Sequence, residues 1–334
     1  MPATGVPTTQ APIHSGFGPT TTARQVLEDI DLTDKVAIVT GGYTGIGLET
    51  TRALAEARAT VIVPARTPDK ARQALSNIPR VKQGNLDLLD PASIDAFANE
   101  FLATRRPLHI LINNAGIMAT PLTRDARGYE SQFSANHLGH FQLTVRLWPA
   151  LCKAQRARVV SLSSRAHQLA GIDFSDPNFQ HRAYDRWQAY GQSKTANVLF
   201  AVELDRRGKA SGIRAFAVHP GAILTDLGRH MTDEELRSYG ISPDSPRAIP
   251  AGKSVTEGGD FKTVEQGAAT SVWCATSPQL AGMGGVYCQD VDVAPILQDG
   301  STSNFGVRPY AIDPEAATRL WTLSEELTGV GSNA

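Results

Sequence analysis

Tyr190 and Lys194 stand four residues apart in the segment Trp187-Gln188-Ala189-Tyr190-Gly191-Gln192-Ser193-Lys194-Thr195-Ala196-Asn197-Val198-Leu199-Phe200, which reads as a helix. Residues four apart share one helix face, so a phenol and an ammonium are brought to the same site. A free phenol ionises near ~10, and a neighbouring ammonium favours the phenolate. Such a pair can act as a general acid/base for proton transfer near neutral pH. The spacing alone is weak evidence, because it also arises by chance on amphipathic helices, where a buried ring beside a solvated Lys explains it equally well.

A second element lies upstream. Val36-Ala37-Ile38-Val39 is a short apolar, β-branched run suited to a buried parallel strand. It leads into Thr40-Gly41-Gly42-Tyr43-Thr44-Gly45-Ile46-Gly47 and then into the helical stretch Leu48-Glu49-Thr50-Thr51-Arg52-Ala53-Leu54-Ala55. Strand, Gly-rich turn and helix form the setting of a dinucleotide fingerprint. Gly41 permits the tight turn, Gly45 lets the backbone approach a pyrophosphate, and Gly47 lets helix and strand pack closely. The helix N-terminus offers N–H donors and partial positive charge to phosphates. The glycine spacing differs from G-x-G-x-x-G, and a Gly-rich loop alone is as readily a structural turn.

Four more segments follow in order. Asn113-Asn114-Ala115-Gly116 succeeds the apolar run Leu108-His109-Ile110-Leu111-Ile112. Asn136-His137-Leu138-Gly139-His140-Phe141 comes next, then the strand-like Val159-Val160-Ser161-Leu162-Ser163-Ser164, then His219-Pro220-Gly221-Ala222-Ile223-Leu224-Thr225. Together with T-G-x-x-x-G-x-G and Y-x-x-x-K, these segments resemble the short-chain dehydrogenase/reductase family over most of the chain. Asn-His-Leu-Gly-His-Phe, Ser163-Ser164-Arg165-Ala166-His167 and the long insert before Tyr190 resemble its retinol-dehydrogenase-like branch. So do Glu265-Gln266-Gly267-Ala268-Ala269 and Gly284-Gly285-Val286-Tyr287. A branch name does not fix a substrate, since function lives in sites grafted on folds.

The resemblance implies hydride transfer between a nicotinamide cofactor and a carbinol or carbonyl carbon. Tyr190 would exchange the proton with the substrate oxygen, and Lys194 would hold the nicotinamide ribose and stabilise the phenolate. Ser164 would donate a hydrogen bond where negative charge grows, and Asn136 would place a proton-relaying water. An amide bracing a helix kink is the plainer reading of Asn136, compatible with that role. Cofactor contacts are implied for Gly41, Tyr43, Thr44, Gly45, Ile46, Asp87, Leu88, Asn114, Ala115, Gly116, Pro220, Gly221, Ile223 and Thr225, besides Tyr190 and Lys194. Asp87 matches the family's contact to the adenine amino group. His137, His140 and His167 lack metal-ligand spacing and are expected to pack or cap; no metal is expected.

The second strand bears on the cofactor. Thr60-Val61-Ile62-Val63-Pro64-Ala65-Arg66 ends where NAD-binding relatives carry an acid for the adenosine ribose. Ala65 is expected at that position. Arg66 offers a guanidinium fork suited to a 2′-phosphate, which favours NADP(H) over NAD(H).

The composition suits a soluble enzyme. The chain has 334 residues, 41% of them hydrophobic, enough for one large α/β core. Lys+Arg of 32 against Asp+Glu of 33 leaves a net charge of −1 and no general basic field for nucleic acid. Cys152, Cys274 and Cys288 lack metal-ligand spacing and read as ordinary buried thiols. The opening Met1-Pro2-Ala3-Thr4-Gly5-Val6-Pro7-Thr8-Thr9-Gln10 is too polar and Pro-rich to span or target. A cytoplasmic enzyme with a small-molecule partner and no membrane association is expected, compatible with a homo-oligomer.

Strand-like segments near 36–40, 60–64, 80–84, 108–113, 157–163, 213–218 and 285–290 alternate with helical ones. This predicts an α/β fold with a doubly wound parallel sheet of Rossmann type. Residues 1–30 form an N-terminal extension, disordered over 1–20, with a short helix in 21–30. Residues 31–330 form the domain, with a substrate lid at about 226–262. The lid opens with a helix near Met231–Leu236, capped by Thr232, and continues through a Pro/Gly-rich span. Trp187 and Tyr184 from the insert and Leu227, Met231, Leu236, Tyr239 and Ile241 from the lid are expected to surround Tyr190 with apolar surface. The reading is an NADP(H)-dependent carbonyl reductase or secondary alcohol dehydrogenase for bulky, mainly hydrophobic substrates. The alternatives are a non-catalytic NADPH-binding regulator, against which the Ser164/Tyr190/Lys194 set argues, or an epimerase or dehydratase, whose usual fingerprint is absent.

Overall fold

Each central strand is a short, continuous run of apolar residues, and such runs are stable only when both faces of a sheet are covered. In the computed structural model, which describes residues 9–238, 242 and 261–331, they become β1 (Val36–Val39), β2 (Thr60–Ala65), β4 (Ile110–Asn113), β5 (Ala157–Leu162), β6 (Ile213–His219) and β7 (Val286–Gln289), with the polar β3 (Val81–Asn85) at one edge of the sheet and β8 (Asp292–Val293) at the other. The spatial order is β3-β2-β1-β4-β5-β6-β7-β8. The first seven strands are parallel, and β8 turns back antiparallel on β7. This is the expected doubly wound α/β sheet. The two-residue β8 lies beyond the expected strands, after a turn in which Asp290 and Val291 both take positive φ.

Alternation along each strand divides the core in two. Ala37 and Val39 of β1 pack with Leu54 of the Gly45–Glu56 helix and Trp273 of the Val264–Thr276 helix. Val36 and Ile38 belong to the opposite layer, with Phe97, Phe141 and Phe200 from the Pro91–Ala103, Gly139–Arg146 and Arg186–Gly208 helices. Full burial of one such side chain contributes roughly 1.5–3 kcal/mol. The order reverses between β1 and β4: from β1 the chain moves outward to β2 and β3, then returns to the other side of β1 at β4. Such a switch point opens a crevice beyond the carboxyl ends of the strands.

The N-terminal stretch departs from the expected disordered tail. Residues 1–8 lie outside the described residues, but from Thr9 onward the chain is docked. The Gln10 side chain donates to Tyr287 O (2.8 Å) and Ala294 O (2.6 Å) and accepts from Tyr287 N (2.8 Å). The Asp292 carboxylate accepts from Ile13 N (2.9 Å) and Ser15 N (3.3 Å). Pro- and Thr-rich composition does not separate a disordered tail from an extended arm whose polar groups find partners on another element. The short helix expected nearby is Ala23–Val26, held by a Thr22/Gln25 capping box. Among the described residues no helix is long and apolar enough to cross a membrane.

Candidate active site

The Gly-rich turn is built by a close approach that excludes side chains. Gly41 has φ +64. A Cβ on Gly47 would stand 2.3 Å from Gly41 O and 2.4 Å from Asn114 Nδ2, so the helix sits directly on the turn. Thr40 joins the neighbouring strand ends: its Oγ1 accepts from Asn114 N (2.9 Å) and Ala115 N (3.0 Å), and its carbonyl accepts from Asn114 Nδ2 (2.8 Å). Thr44 precedes the Gly45–Glu56 helix in extended conformation, and no side chain caps that helix. Its first N–H groups lack intrahelical partners, and Tyr43, Thr44, Gly45 and Ile46 face a cleft of about 1170 Å³. A cradle of this shape, with an uncapped helix N-terminus, fits the pyrophosphate of a dinucleotide.

The cleft runs along the carboxyl ends of β1, β2, β4, β5 and β6. Gly41, Asn114, Ala115 and Gly116 line it near its centre; Arg66, Asp87 and Leu88 line one end. Pro220, Gly221, Ile223 and Thr225 line the wall after β6, and Ser164, Tyr190 and Lys194 lie at the other end. Thus every residue expected to act in catalysis or to touch the cofactor borders this cleft except Asn136.

Lys194 is 5% exposed, and its Nζ donates to Leu162 O (3.0 Å) while lying 5.5 Å from the centre of the Tyr190 ring. Burial lowers its pKa to about 8. Tyr190 is 4% exposed and meets the Trp187 ring edge-on at 6.2 Å. Gly191 allows their helix to press on the loop after β5, since a Cβ there would stand 2.7 Å from Ala166 O. Ser164 is extended, and its Oγ accepts from Ala166 N at 3.1 Å. Ser163 is held differently, donating to Lys194 O at 2.8 Å.

Asn136 sits in a π-helical turn, Ser134–Leu138, fully buried. Its Nδ2 donates to Ile117 O (3.0 Å) and Ser193 Oγ (3.0 Å), and its Oδ1 accepts from Ile117 N (2.9 Å). The amide thus braces an irregular turn against the loop after β4 and the Tyr190 helix. A Cβ at Gly116 would lie 3.2 Å from its Oδ1 and 3.6 Å from Lys194 Nζ, so Asn136 backs Gly116 close to the ammonium.

The three histidines pack or cap. His140 Nε2 meets Thr40 Oγ1 (2.9 Å) and Nδ1 meets Asn136 O (3.0 Å), linking the π-turn to β1. His167 Nδ1 meets Ser164 O (2.8 Å), and His137 Nε2 meets Ser324 Oγ (2.7 Å). Burial pushes His140 and His167 down to about 4 and His137 to about 3, so all three are neutral at pH 7.

Three expectations need correcting, those for Ala65, Tyr184 and Leu236. Ala65 is 2% exposed and belongs to the core, so Pro64 and Arg66 on either side of it meet the cleft and Ala65 does not. Tyr184 does not reach the cleft: its hydroxyl meets Gln132 Nε2 (2.9 Å), Thr120 O (3.0 Å) and Glu130 Oε1 (3.1 Å), and its ring packs on Phe179. Trp187, Leu227 and Met231 do line the cleft, whereas Leu236 packs with Leu224. Tyr239, Ile241 and the Pro/Gly-rich span lie outside the described residues. The helix expected near Met231–Leu236 is Asp233–Ser238, with Thr232 N donating to Glu235 Oε2 (2.7 Å) and Glu235 N to Thr232 Oγ1 (3.2 Å). Glu235 Oε1 also accepts from Trp187 Nε1 (2.6 Å) and Arg186 Nη2 (2.6 Å), fastening this helix to the start of the Tyr190 helix.

Lys70, Arg165 and Asn304 line the cleft without having been singled out. Lys70 had a local signal, one helical turn beyond Arg66; Asn304 had none, because a C-terminal loop brings it in.

The model of the short chain dehydrogenase family matches residues 35–236. A protein described as "Probable oxidoreductase" from Streptomyces lividans is 46% identical over 90% of this chain and 100% of its own length. Human retinol dehydrogenase 12 is 39% identical over 90% of this chain and 89% of its own. A solved structure of an uncharacterized protein from Mycobacterium paratuberculosis superposes with TM-score 0.70 at 31% identity, covering 94% of this chain and 100% of that one.

Proposed function

The chain belongs to the short-chain dehydrogenase family of oxidoreductases, and from that premise we propose an NADP(H)-dependent carbonyl reductase or secondary alcohol dehydrogenase. The observation that carries this reading is one cleft bordered by the glycine cradle at one side and by Ser164, Tyr190 and Lys194 at its end. A bound nicotinamide dinucleotide would supply the hydride donor or acceptor. Gly41, Tyr43, Thr44, Gly45 and Ile46 would hold its pyrophosphate, and Arg66 with Lys70 its 2′-phosphate. Asp87 and Leu88 would flank the adenine, with Asn114, Ala115 and Gly116 beneath the dinucleotide and Pro220, Gly221, Ile223 and Thr225 over the nicotinamide.

In reduction, Tyr190 Oη gives its proton to the substrate oxygen and takes it back in oxidation. Ser164 Oγ donates a hydrogen bond to that oxygen, where charge develops. Lys194 holds the ribose, and its charge favours the phenolate left on Tyr190. Asn136 keeps Ser193 and the Gly116 loop in place beside Lys194, which suits a role in ordering a relay water. Trp187, Leu227, Met231, Met118, Leu169 and Phe261 give the substrate end a largely apolar wall, the usual pattern of a small-molecule site. The substrate is therefore a bulky, mainly hydrophobic ketone, aldehyde or secondary alcohol. A turnover screen with NADPH and NADH tests this: kcat/KM should rise from short hydroxy acids and sugar phosphates to aryl and long-chain carbonyls. A ranking led by short polar compounds overturns the substrate class, and an absence of turnover with either cofactor overturns the enzyme.

Lys194 also sets a pH dependence. With a pKa near 8 in the free protein, it is charged below pH 8 and neutral above. An anionic cofactor should therefore bind more weakly as pH rises through about 8, by up to roughly tenfold for one charge-assisted contact. Lys194→Met should bind weakly throughout and lose the inflection. NADPH fluorescence titrations between pH 6.5 and 9.5 measure this; a flat wild-type profile contradicts it.

A further inference from the structure

The substrate end of the cleft is mostly apolar but holds two guanidiniums, that of Arg229, which donates to Asp226 O (3.1 Å), and that of Arg165, the residue after Ser164. Arg165 is half-buried, and among the described residues its side chain has no hydrogen-bond or ion-pair partner. Two other arginines of the chain are paired: Arg186 bonds Glu235 Oε1 and His230 O (3.1 Å), and Arg308 bonds Ser301 O (2.7 Å). Among the described residues, Glu235 and Asp226, which line the cleft, and Asp290 bond elsewhere: Glu235 to Arg186 and Trp187, Asp290 to Lys262, and Asp226 to Lys70 at 3.7 Å. His219, whose Nδ1 accepts from Arg165 N (3.3 Å), offers no counter-charge: burial and the charges of Arg165 and Lys262 press its pKa to about 3, so it is neutral. A half-shielded cation in an apolar wall is costly unless paired, and a guanidinium matches a carboxylate with two parallel hydrogen bonds.

We propose that Arg165 is a specificity-determining residue that pairs with a carboxylate on the substrate, so that the preferred substrate is a bulky, mainly apolar carbonyl compound or alcohol bearing one carboxylate away from the reacting carbon. This rests on the reading of the cleft as a carbonyl-reductase site and narrows its substrate class. Apolar bulk fills the wall around Trp187 and Leu169, and the single anion is drawn to Arg165.

The test compares 4-oxo-4-phenylbutanoate with its methyl ester, which share the aryl ketone and differ in charge. With NADPH, wild-type kcat/KM should favour the acid by roughly tenfold to a hundredfold, the effect of one charge-assisted pair. Arg165→Gln should collapse that ratio toward one, and Arg165→Lys should keep part of it, having the charge without the fork. A wild-type ratio of one or below, or an Arg165→Gln variant that lowers both substrates equally, overturns the proposal. Binding separates this outcome from a failure of the enzyme reading. If neither ketone is turned over, the carbonyl-reductase reading falls; 4-phenylbutanoate should still perturb the fluorescence of bound NADPH at lower concentration than 4-phenylbutanamide, with the difference lost in Arg165→Gln. Equal affinity of the acid and the amide overturns the anion site whatever the turnover.

Discussion

Tyr190→Phe is expected to lower kcat for carbonyl reduction by roughly 10²–10⁴-fold, the usual contribution of a positioned general acid, while the Kd for NADPH stays near wild type. The side chain is 4% exposed, edge-on to Trp187 and within 5.5 Å of the Lys194 ammonium, all measured at the ring. A phenyl ring keeps that packing and removes only the group that carries the proton. Loss of activity with unchanged cofactor binding therefore separates proton transfer from folding and from binding. Ser164→Ala should lose less, because it removes a hydrogen bond to the developing oxyanion and leaves the proton donor in place. Near-normal steady-state turnover in the Phe variant would sink the assignment of Tyr190.

The second large effect concerns the cofactor. Arg66→Ala should reduce kcat/KM for NADPH by roughly tenfold to a hundredfold, as expected for a lost charge-assisted pair, and change that for NADH by less than about threefold. Only NADPH carries the 2′-phosphate, and Arg66 is an exposed cation at the cleft with Lys70 one turn further on. Lys70→Ala should act in the same direction but more weakly, since its ammonium also lies 3.7 Å from Asp226 Oδ2. Ala65→Asp is a poorer probe than the sequence implies: Ala65 belongs to the core, and an Asp there would bury a carboxylate. A wild type that prefers NADH, or equal losses for both cofactors in Arg66→Ala, refutes the NADP(H) reading.

Much of the site was legible because its informative features are local. Tyr190 and Lys194 share a face through helix geometry alone. Val36–Val39, the glycine turn and the following helix are contiguous, so their packing is written in one stretch of sequence. The strands after 60, 110, 157, 213 and 286 were legible because mainly apolar runs of that length, separated by helical segments, have few other ways to bury both faces. The Thr232/Glu235 cap was legible for the same reason: its partners lie three residues apart.

What the sequence by itself determined, then, is the α/β class, the order of the strands along the chain and the residue types that meet at their carboxyl ends. The tertiary structure decided which side chains reach the cleft. Asn136 is tied to Ile117 and Ser193, Tyr184 is turned toward Glu130, and Ala65 is folded into the core. Arg165 is left at the substrate end while Glu235, Asp290 and Asp226 pair elsewhere. The arm from Thr9 is held by Tyr287, Asp292 and Ala294, more than 270 residues away. Each of these outcomes depends on which distant partner satisfies a polar group or fills a space. Local periodicity carries no information about such pairings, because they form only once the sheet has brought remote strands side by side.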